Sequence, residues 1–154
     1  RLDYAWSPKW GFLSASPFNL GMGKRQSAMF HLIGLATERR LPSVMKALST
    51  KGIVVRGLFG ESSRAIGAFV QVSVIGGTQE DFLGACEYLL AEERSSRRSI
   101  SPDDLAERAT RAKEFVRSSR SVSLADALRI LAWIRWATSA GIEPGSPRQI
   151  DQFL

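Results

Sequence analysis

The sequence predicts an α+β fold in which helices cover a β-sheet on one face. Short apolar runs bounded by glycine dominate the first half of the chain, and such runs are typical of strands. The second half instead repeats helix-start signals, each followed by apolar residues at helical spacing. Strands followed by helices favour an α+β architecture. We therefore expect one domain over residues 1–154, sheet-rich over 1–77 and helical over 78–154.

Four strands are predicted in the first half, each a short apolar or alternating stretch. They are Gly11–Ala15, Ser27–Leu32, Ile53–Phe59 and Gly67–Ile75. The last of them is rich in valine and phenylalanine, which pack well on a pleated surface. Between the second and third strands, apolar residues recur at helical spacing from Leu41 to Leu48. Pro42 suits only the first turn of that helix, and Gly52 suits its end.

Three longer helices are predicted in the second half from their start signals. Thr78 with Asp81 resembles a capping box, and Ser101 before Pro102 and Ser123 before Asp126 are further start signals. The third helix carries two tryptophans within a mostly apolar surface, so we expect it to be packed on two sides. A last helical turn is predicted to start at Ser146. The charged run 92–98 is predicted to be a solvated helix end.

Composition limits the class of protein. The chain has 154 residues, 44% hydrophobic and 23% charged, as in an ordinary globular domain. No apolar run approaches the roughly 20 residues that cross a bilayer, so we expect no membrane association and a cytoplasmic location. One cysteine and one histidine argue against a disulfide or a zinc site. The chain begins at Arg1 without a methionine, so we expect a fragment of a longer protein.

The net charge of +6 favours anionic partners, which include nucleic acid, anionic lipid and the phosphates of a nucleotide. Two segments narrow this choice. Residues 16–25 read SPFNLGMGKR, and residues 56–61 read RGLFGE. Each places an arginine beside glycines, where an apolar run meets a turn. The planar arginine fork donates two hydrogen bonds to a phosphate, and glycine lets the backbone approach phosphate oxygens closely.

The second segment adds a carboxylate, Glu61, five residues after Arg56. A carboxylate beside a phosphate site can orient a cationic acceptor and help to remove its proton. We therefore expect Arg25 and Arg56 to bind a polyphosphate, and the Gly21 and Gly23 amides to donate to it.

Both segments resemble motifs of the ATP:guanidino phosphotransferases, and most closely those of the bacterial protein-arginine kinases. Residues 16–25 are similar to the family's Cys-Pro-(Ser/Thr)-Asn-Leu-Gly-Thr-Gly-Leu-Arg segment. Residues 56–61 are similar to the branch's Arg-Gly-Leu-Tyr-Gly-Glu segment. The stretch His31-Leu32 and the flanking Gly11–Leu13 also look like that branch. The similarity spans most of the chain and is strongest from about residue 10 to 100.

This resemblance implies an antiparallel sheet flanked by helices, of which the chain holds part. It implies transfer of the ATP γ-phosphoryl group to an arginine side chain of a protein substrate, with Mg²⁺ bound through the nucleotide. The implied nucleotide-binding residues, in two stretches, are Arg25, Gln26, Ser27, Ala28 and Met29, then Arg56, Gly57, Leu58, Phe59, Gly60 and Glu61. The implied catalytic residues are Glu61 and Ser16. A homodimer is left open.

One departure from the family motif keeps a second function open. Ser16 replaces the family's reactive cysteine, and a hydroxyl cannot supply the negative charge that a thiolate places beside a guanidinium. A catalytically degenerate pseudokinase of the same fold is therefore the alternative. A nucleic-acid binding module is a more remote alternative, based on the +6 charge and four tryptophans. It explains neither glycine-arginine motif, and we do not expect it.

Overall fold

A computed structural model describes residues 3–15, 20–23, 25–57, 65–75 and 78–153. Within these ranges a small hairpin pairs strand β1 (Trp6–Ser7) with β2 (Gly11–Phe12). The main sheet contains β3 (Arg25–His31), β4 (Ile53–Gly57) and β5 (Phe69–Ile75). Its strand order is β3-β5-β4, and both pairings are antiparallel. The predicted α+β class is confirmed.

Helices connect and cover these strands. Their bounds are α1 (Ile33–Thr37), α2 (Leu41–Ser49), α3 (Gln79–Arg98), α4 (Pro102–Ser118), α5 (Leu124–Ser139) and α6 (Pro147–Asp151). The predicted starts of α3, α4 and α5 are confirmed by their caps, because the hydroxyl oxygens of Thr78, Ser101 and Ser123 each accept a backbone N–H of the first turn. Pro42 lies in the first turn of α2, as predicted. None of the helices in the described ranges combines the length and apolar character that a bilayer crossing requires.

The larger apolar core lies on one face of the sheet. Val70, Val72 and Val74 of β5 point to this face and are at most 6% exposed. They pack against Leu48 of α2 and Leu89 of α3, both fully enclosed. On α3 the buried side chains recur at three- and four-residue spacing, as expected for one face of a helix.

A second core covers the opposite face of the sheet, but only at one end. Phe69 at the start of β5 packs here with Trp136 and Ala132 of α5 and with Ala109 of α4. The prediction of helices on a single face is therefore corrected. The fully buried face of the sheet is the α2–α3 face, and α5 closes the other face where β3 ends and β5 begins.

The turn before β5 explains why that strand begins two residues later than predicted. Gly67 and Ala68 both adopt left-handed backbone conformations, with φ of 64° and 62°. A Cβ on Gly67 would lie 2.7 Å from the Leu128 carbonyl oxygen of α5. Glycine is required because the backbone passes this close to α5 at a positive φ. The predicted strand Gly11–Ala15 is also shorter, ending at Phe12.

Candidate functional site

Strand register places Arg25 and Arg56 on the same face of the sheet. Strands β3 and β4 both pair with β5. In this register Arg25 of β3 lies opposite Ile75, and Arg56 of β4 lies opposite Gln71. Residues in direct register project to the same side, and residues two apart along one strand do so as well. Both arginines therefore lie on the face opposite Val70, Val72 and Val74. This is the face that α2 and α3 leave uncovered.

The spacing between the two arginines suits a ligand of moderate length. Their partners on β5, Ile75 and Gln71, are four residues apart, and β5 lies between the two arginine-bearing strands. Standard strand dimensions put their Cα atoms about 16 Å apart. A separation of this size accommodates a chain of phosphates between two long side chains.

Alternation along β3 divides the other residues of the predicted nucleotide stretch. Ser27 and Met29 share the open face with Arg25, and Met29 is 50% exposed. Gln26 and Ala28 pair with Val74 and Val72 and so lie on the core face. Their side chains point away from Arg25, because a strand alternates its side chains between faces.

A cleft of about 520 Å³ opens beside Arg25. Its wall is the aromatic hairpin, which contributes Tyr4 and Phe12, and its base includes Met22 and Gly23. Tyr4 is 72% exposed, and its ring meets that of Phe12 edge to face at 6.2 Å. An apolar wall beside a guanidinium suits a ligand with a flat body and an anionic end.

The glycines of the first motif have a structural task that the sequence did not indicate. The Gly21 N–H donates to the Phe12 carbonyl oxygen at 3.2 Å, and the Phe12 N–H donates to the Gly21 oxygen at 2.8 Å. A Cβ on Gly11 would lie 2.4 Å from that same Gly21 oxygen. The expectation that the Gly21 amide donates to phosphate is corrected, since β2 already uses it. These glycines bring the motif back against the hairpin.

Several predicted site residues lie outside the described residues. They are Ser16, Leu58, Phe59, Gly60 and Glu61. Gly57 is described and is the last residue of β4, directly before this segment. The roles assigned to these residues remain predictions.

Glu93 and Arg97 form a charged pair in the interior of the protein. The prediction that residues 92–98 form a solvated helix end is therefore wrong for these two residues. Glu93 is 5% exposed, and its carboxylate accepts the backbone N–H groups of Gly34 at 2.9 Å and Leu35 at 3.0 Å. The Arg97 Nε donates to it at 2.5 Å. Glu93 therefore caps α1, whose own first residues supply no side-chain cap. The sequence spacing could have indicated the burial of Glu93, because Glu93 follows the buried Leu89 by four residues and so lies on the same face of α3.

His31 lies at the covered end of the sheet, with its ring stacked on Phe69 at a centroid distance of 4.6 Å. Burial, followed by the nearby positive charges of Arg97 and Arg135, lowers the pKa of His31 from 6.5 to about 3, against smaller opposing effects of Asp151 and of a backbone hydrogen bond with Gly67. Arg97 also donates to the His31 carbonyl oxygen at 3.1 Å. The imidazole is thus neutral at ordinary pH.

The described side chains offer arginines for phosphate but no cluster for a metal ion. Among the residues that the structure describes, no three His, Cys, Asp or Glu side chains come together as a metal site. The sheet face opposite the α2–α3 core instead carries Arg25, which is exposed, and Arg56, which is half-buried. Guanidinium groups suit phosphate oxygens by charge and by bidentate geometry.

Comparison with known proteins agrees with this chemistry. Residues 1–93 match the family model of the ATP:guanido phosphotransferase C-terminal catalytic domain. The chain belongs to this family. Arg25 and Arg56 both fall within the matched range, and so does the segment that contains Glu61. The resemblance on the two glycine-arginine motifs is therefore confirmed at the level of the family.

The chain is also similar to several curated protein-arginine kinases of bacteria. The chain is 33% identical over 156 residues to the protein-arginine kinase of Pelotomaculum thermopropionicum, covering 95% of the chain and 44% of that relative. It is 33% identical over 155 residues to that of Bacillus pumilus, covering 94% of the chain and 43% of the relative. It is 32% identical over 165 residues to the protein-arginine kinase of Shouchella clausii, covering 100% of the chain and 46% of that relative. The chain thus spans less than half the length of these relatives.

Proposed function

We propose that this chain is part of the catalytic domain of an ATP-dependent protein-arginine kinase. The observation that carries the proposal is the placement of Arg25 and Arg56 on one face of the sheet, opposite the α2–α3 core. The names of the similar proteins supply the acceptor, because each of them is a protein-arginine kinase. ATP supplies the phosphoryl group, and we expect the reaction to take place in the cytoplasm.

The two arginines would hold the phosphates from opposite sides. Guanidinium groups keep their charge at all relevant pH values and neutralise phosphate oxygens, which is the main requirement of phosphoryl transfer. Ser27 and Met29 would line the same face beside Arg25. Mg²⁺ would be held by the phosphates of the nucleotide, since the described residues contain no acidic cluster for it.

Glu61 would contact the guanidinium of the acceptor arginine. A carboxylate there fixes the orientation of the acceptor and favours loss of its proton as the nitrogen attacks. Ser16 would lie beside the acceptor, where the family has a cysteine.

Nucleotide binding to single-site variants tests this proposal. We expect Arg25→Ala and Arg56→Ala each to weaken binding of fluorescent Mg-ATP by at least about tenfold, since each removes a charged hydrogen-bond donor to phosphate. Arg94→Ala is the matched control, because Arg94 is an exposed arginine on α3. Equal affinities in all three variants would remove the phosphate site from this face.

Ser16 is the observation that favours a pseudokinase as the second candidate. The two candidates differ in turnover and not in nucleotide binding. Ser16→Cys in the full-length protein, assayed for arginine phosphorylation, separates them. Activity that appears or rises with the cysteine indicates a kinase weakened at one position. A variant that binds Mg-ATP but stays inactive indicates a degenerate site.

A further inference from the structure

A second cleft lies far along the chain from the proposed nucleotide face. Helices α4 and α5 pack against each other, and a groove of about 330 Å³ runs between them, here named the α4–α5 groove. Its floor is apolar, with buried Ala112 and Ile130 and the half-buried Trp133. Phe115 at the far end is 47% exposed. From Arg108 to Phe115 the groove is about 10 Å long, at the helical rise per residue.

Arginines predominate on the rim of the groove, and one of them, Arg111, pairs with the exposed Glu107 of the same helix at 2.5 Å. Three arginines line the groove, Arg108, Arg111 and Arg129, and the one carboxylate among its lining residues is that of Asp126. Arg129 pairs with Asp126 at 2.8 Å, but 61% of the Arg129 side chain is exposed. Exposed pairs of this kind contribute at most about 1 kcal/mol, so a ligand carboxylate can replace them at little cost.

Arg108 is held in place by aromatic stacking. Its guanidinium lies 4.9 Å over the Trp133 ring, and Trp133 stacks on Trp136 at 5.7 Å. Trp136 is 4% exposed and lies under Arg97 at 5.2 Å. The stacked indoles thus place the Arg108 guanidinium over the floor of the groove. Such preorganisation lowers the entropic cost of binding.

The groove continues past Trp133 into a neighbouring cleft of about 400 Å³. The two share Arg108, Arg129 and Trp133, and the second cleft ends at Arg39 and the Gly67–Ala68 turn. A fourth guanidinium thus borders the same elongated surface. A free phosphate ion would contact the arginines but leave the apolar floor uncovered, so the shape favours a longer occupant.

We propose that the α4–α5 groove docks an acidic peptide segment of a partner protein. Its carboxylates would pair with Arg108, Arg111 and Arg129, and an apolar side chain would cover the floor between Trp133 and Phe115. Nucleic acid fits less well, because its bases need an open aromatic face for stacking. The Trp133 ring already contacts Arg108 and Trp136 through its faces. None of the described residues that line the α4–α5 groove belongs to the predicted nucleotide-binding stretches.

Fluorescence anisotropy on the full chain tests the proposal. The probe is a fluorescein-labelled peptide of glutamates around two adjacent leucines. We expect Arg108→Glu and Arg129→Glu each to weaken its binding by about tenfold or more, because each replaces an attraction by a repulsion. The control is Arg94→Glu, which makes the same charge change on α3, and we expect it to weaken binding less than about threefold. If Arg108→Glu does not fold, the exposed Arg129→Glu carries the test.

Further probes separate the docking of a peptide from general attraction to a basic protein. Equal weakening by Arg94→Glu and Arg129→Glu would overturn the proposal, since only net charge would then matter. So would equal binding of a peptide with serines in place of the leucines, because the apolar floor would be unused. Tighter binding of an oligonucleotide of equal charge would assign the groove to nucleic acid instead. Selective loss in the groove variants, together with a requirement for the leucines, supports a peptide site.

Discussion

The two ends of the β-sheet use arginine in opposite ways. On the uncovered face, Arg25 is exposed and stands at the start of β3 beside an open cleft. At the covered end, Arg97 donates to Glu93 and to the His31 carbonyl oxygen, and its guanidinium lies over Trp136. Arg25 is accessible to a ligand, whereas the hydrogen-bond donors of Arg97 hold α3 against α1 and β3. The comparison shows that burial and partners decide what the same side chain does.

The largest effect is expected at Glu93. Glu93→Ala leaves two N–H groups of α1 and the largely buried Arg97 without their acceptor. Breaking a buried pair in this way costs about 3 kcal/mol or more of the free energy of unfolding. Urea denaturation measures the loss, and Glu87→Ala, an exposed site on the same helix, should change stability by less than about 0.5 kcal/mol. Similar losses in both variants would mean that the cap contributes nothing.

The next effect concerns the contact between α1 and α3. A Cβ on Gly34 would lie 2.9 Å from Arg97 Cγ and 3.0 Å from the Arg97 backbone nitrogen. Gly34→Ala should therefore lower the free energy of unfolding by about 2 kcal/mol, because backbone cannot move aside easily. Gly84→Ala provides the contrast, since nothing lies within 4 Å of the added methyl group on α3. It should raise stability by up to about 1 kcal/mol, and thermal unfolding should show Tm shifts of opposite sign.

A further effect, absent at neutral pH, is expected from His31 on acidification. The folded-state pKa of His31 is about 3, and the ordinary value is 6.5, so the unfolded chain binds the proton first as the pH falls. The neutral imidazole contributes fully to the free energy of unfolding above pH 6.5, and this contribution is lost progressively as the pH falls toward 3. The slope approaches about 1.4 kcal/mol per pH unit. His31→Phe should remove this slope between pH 6 and 4.5 in urea titrations, whereas an unchanged slope would assign the acid sensitivity to other groups.

The smallest effect on stability is expected at Arg25. Its side chain is exposed, so Arg25→Ala should change the free energy of unfolding by less than about 0.5 kcal/mol. The same variant should lose nucleotide affinity, as proposed above. A large loss of stability would show that Arg25 is structural and would remove the contrast between the two ends of the sheet.

Local signals made much of the fold predictable. The hydroxyl residues that begin α3, α4 and α5 act through contacts three residues away, which a sequence displays directly. Helix α1 was missed because it has five residues and no side-chain cap of its own. Its cap is Glu93, nearly sixty positions later in the chain, and no local pattern indicates such a contact.

The candidate site was predictable in its chemistry but not in its geometry. The motifs indicated phosphate-binding arginines, yet the sharing of one face by Arg25 and Arg56 depends on β5 lying between their strands. The use of the Gly21 amide by Phe12 depends likewise on tertiary pairing. The α4–α5 groove could not be predicted from the sequence, because its three arginines are spread over two helices and resemble ordinary surface charge.

The tryptophans divide into two pairs with different optical properties. Trp6 and Trp10 on the hairpin are 59% and 56% exposed, whereas Trp133 and Trp136 stack within 17° of parallel. Indoles in water are open to a quencher such as acrylamide, and stacked indoles couple electronically and dominate the near-ultraviolet circular dichroism. Quenchable emission from the hairpin and dichroism from the helices therefore report separately on these two regions of the chain, without any added label.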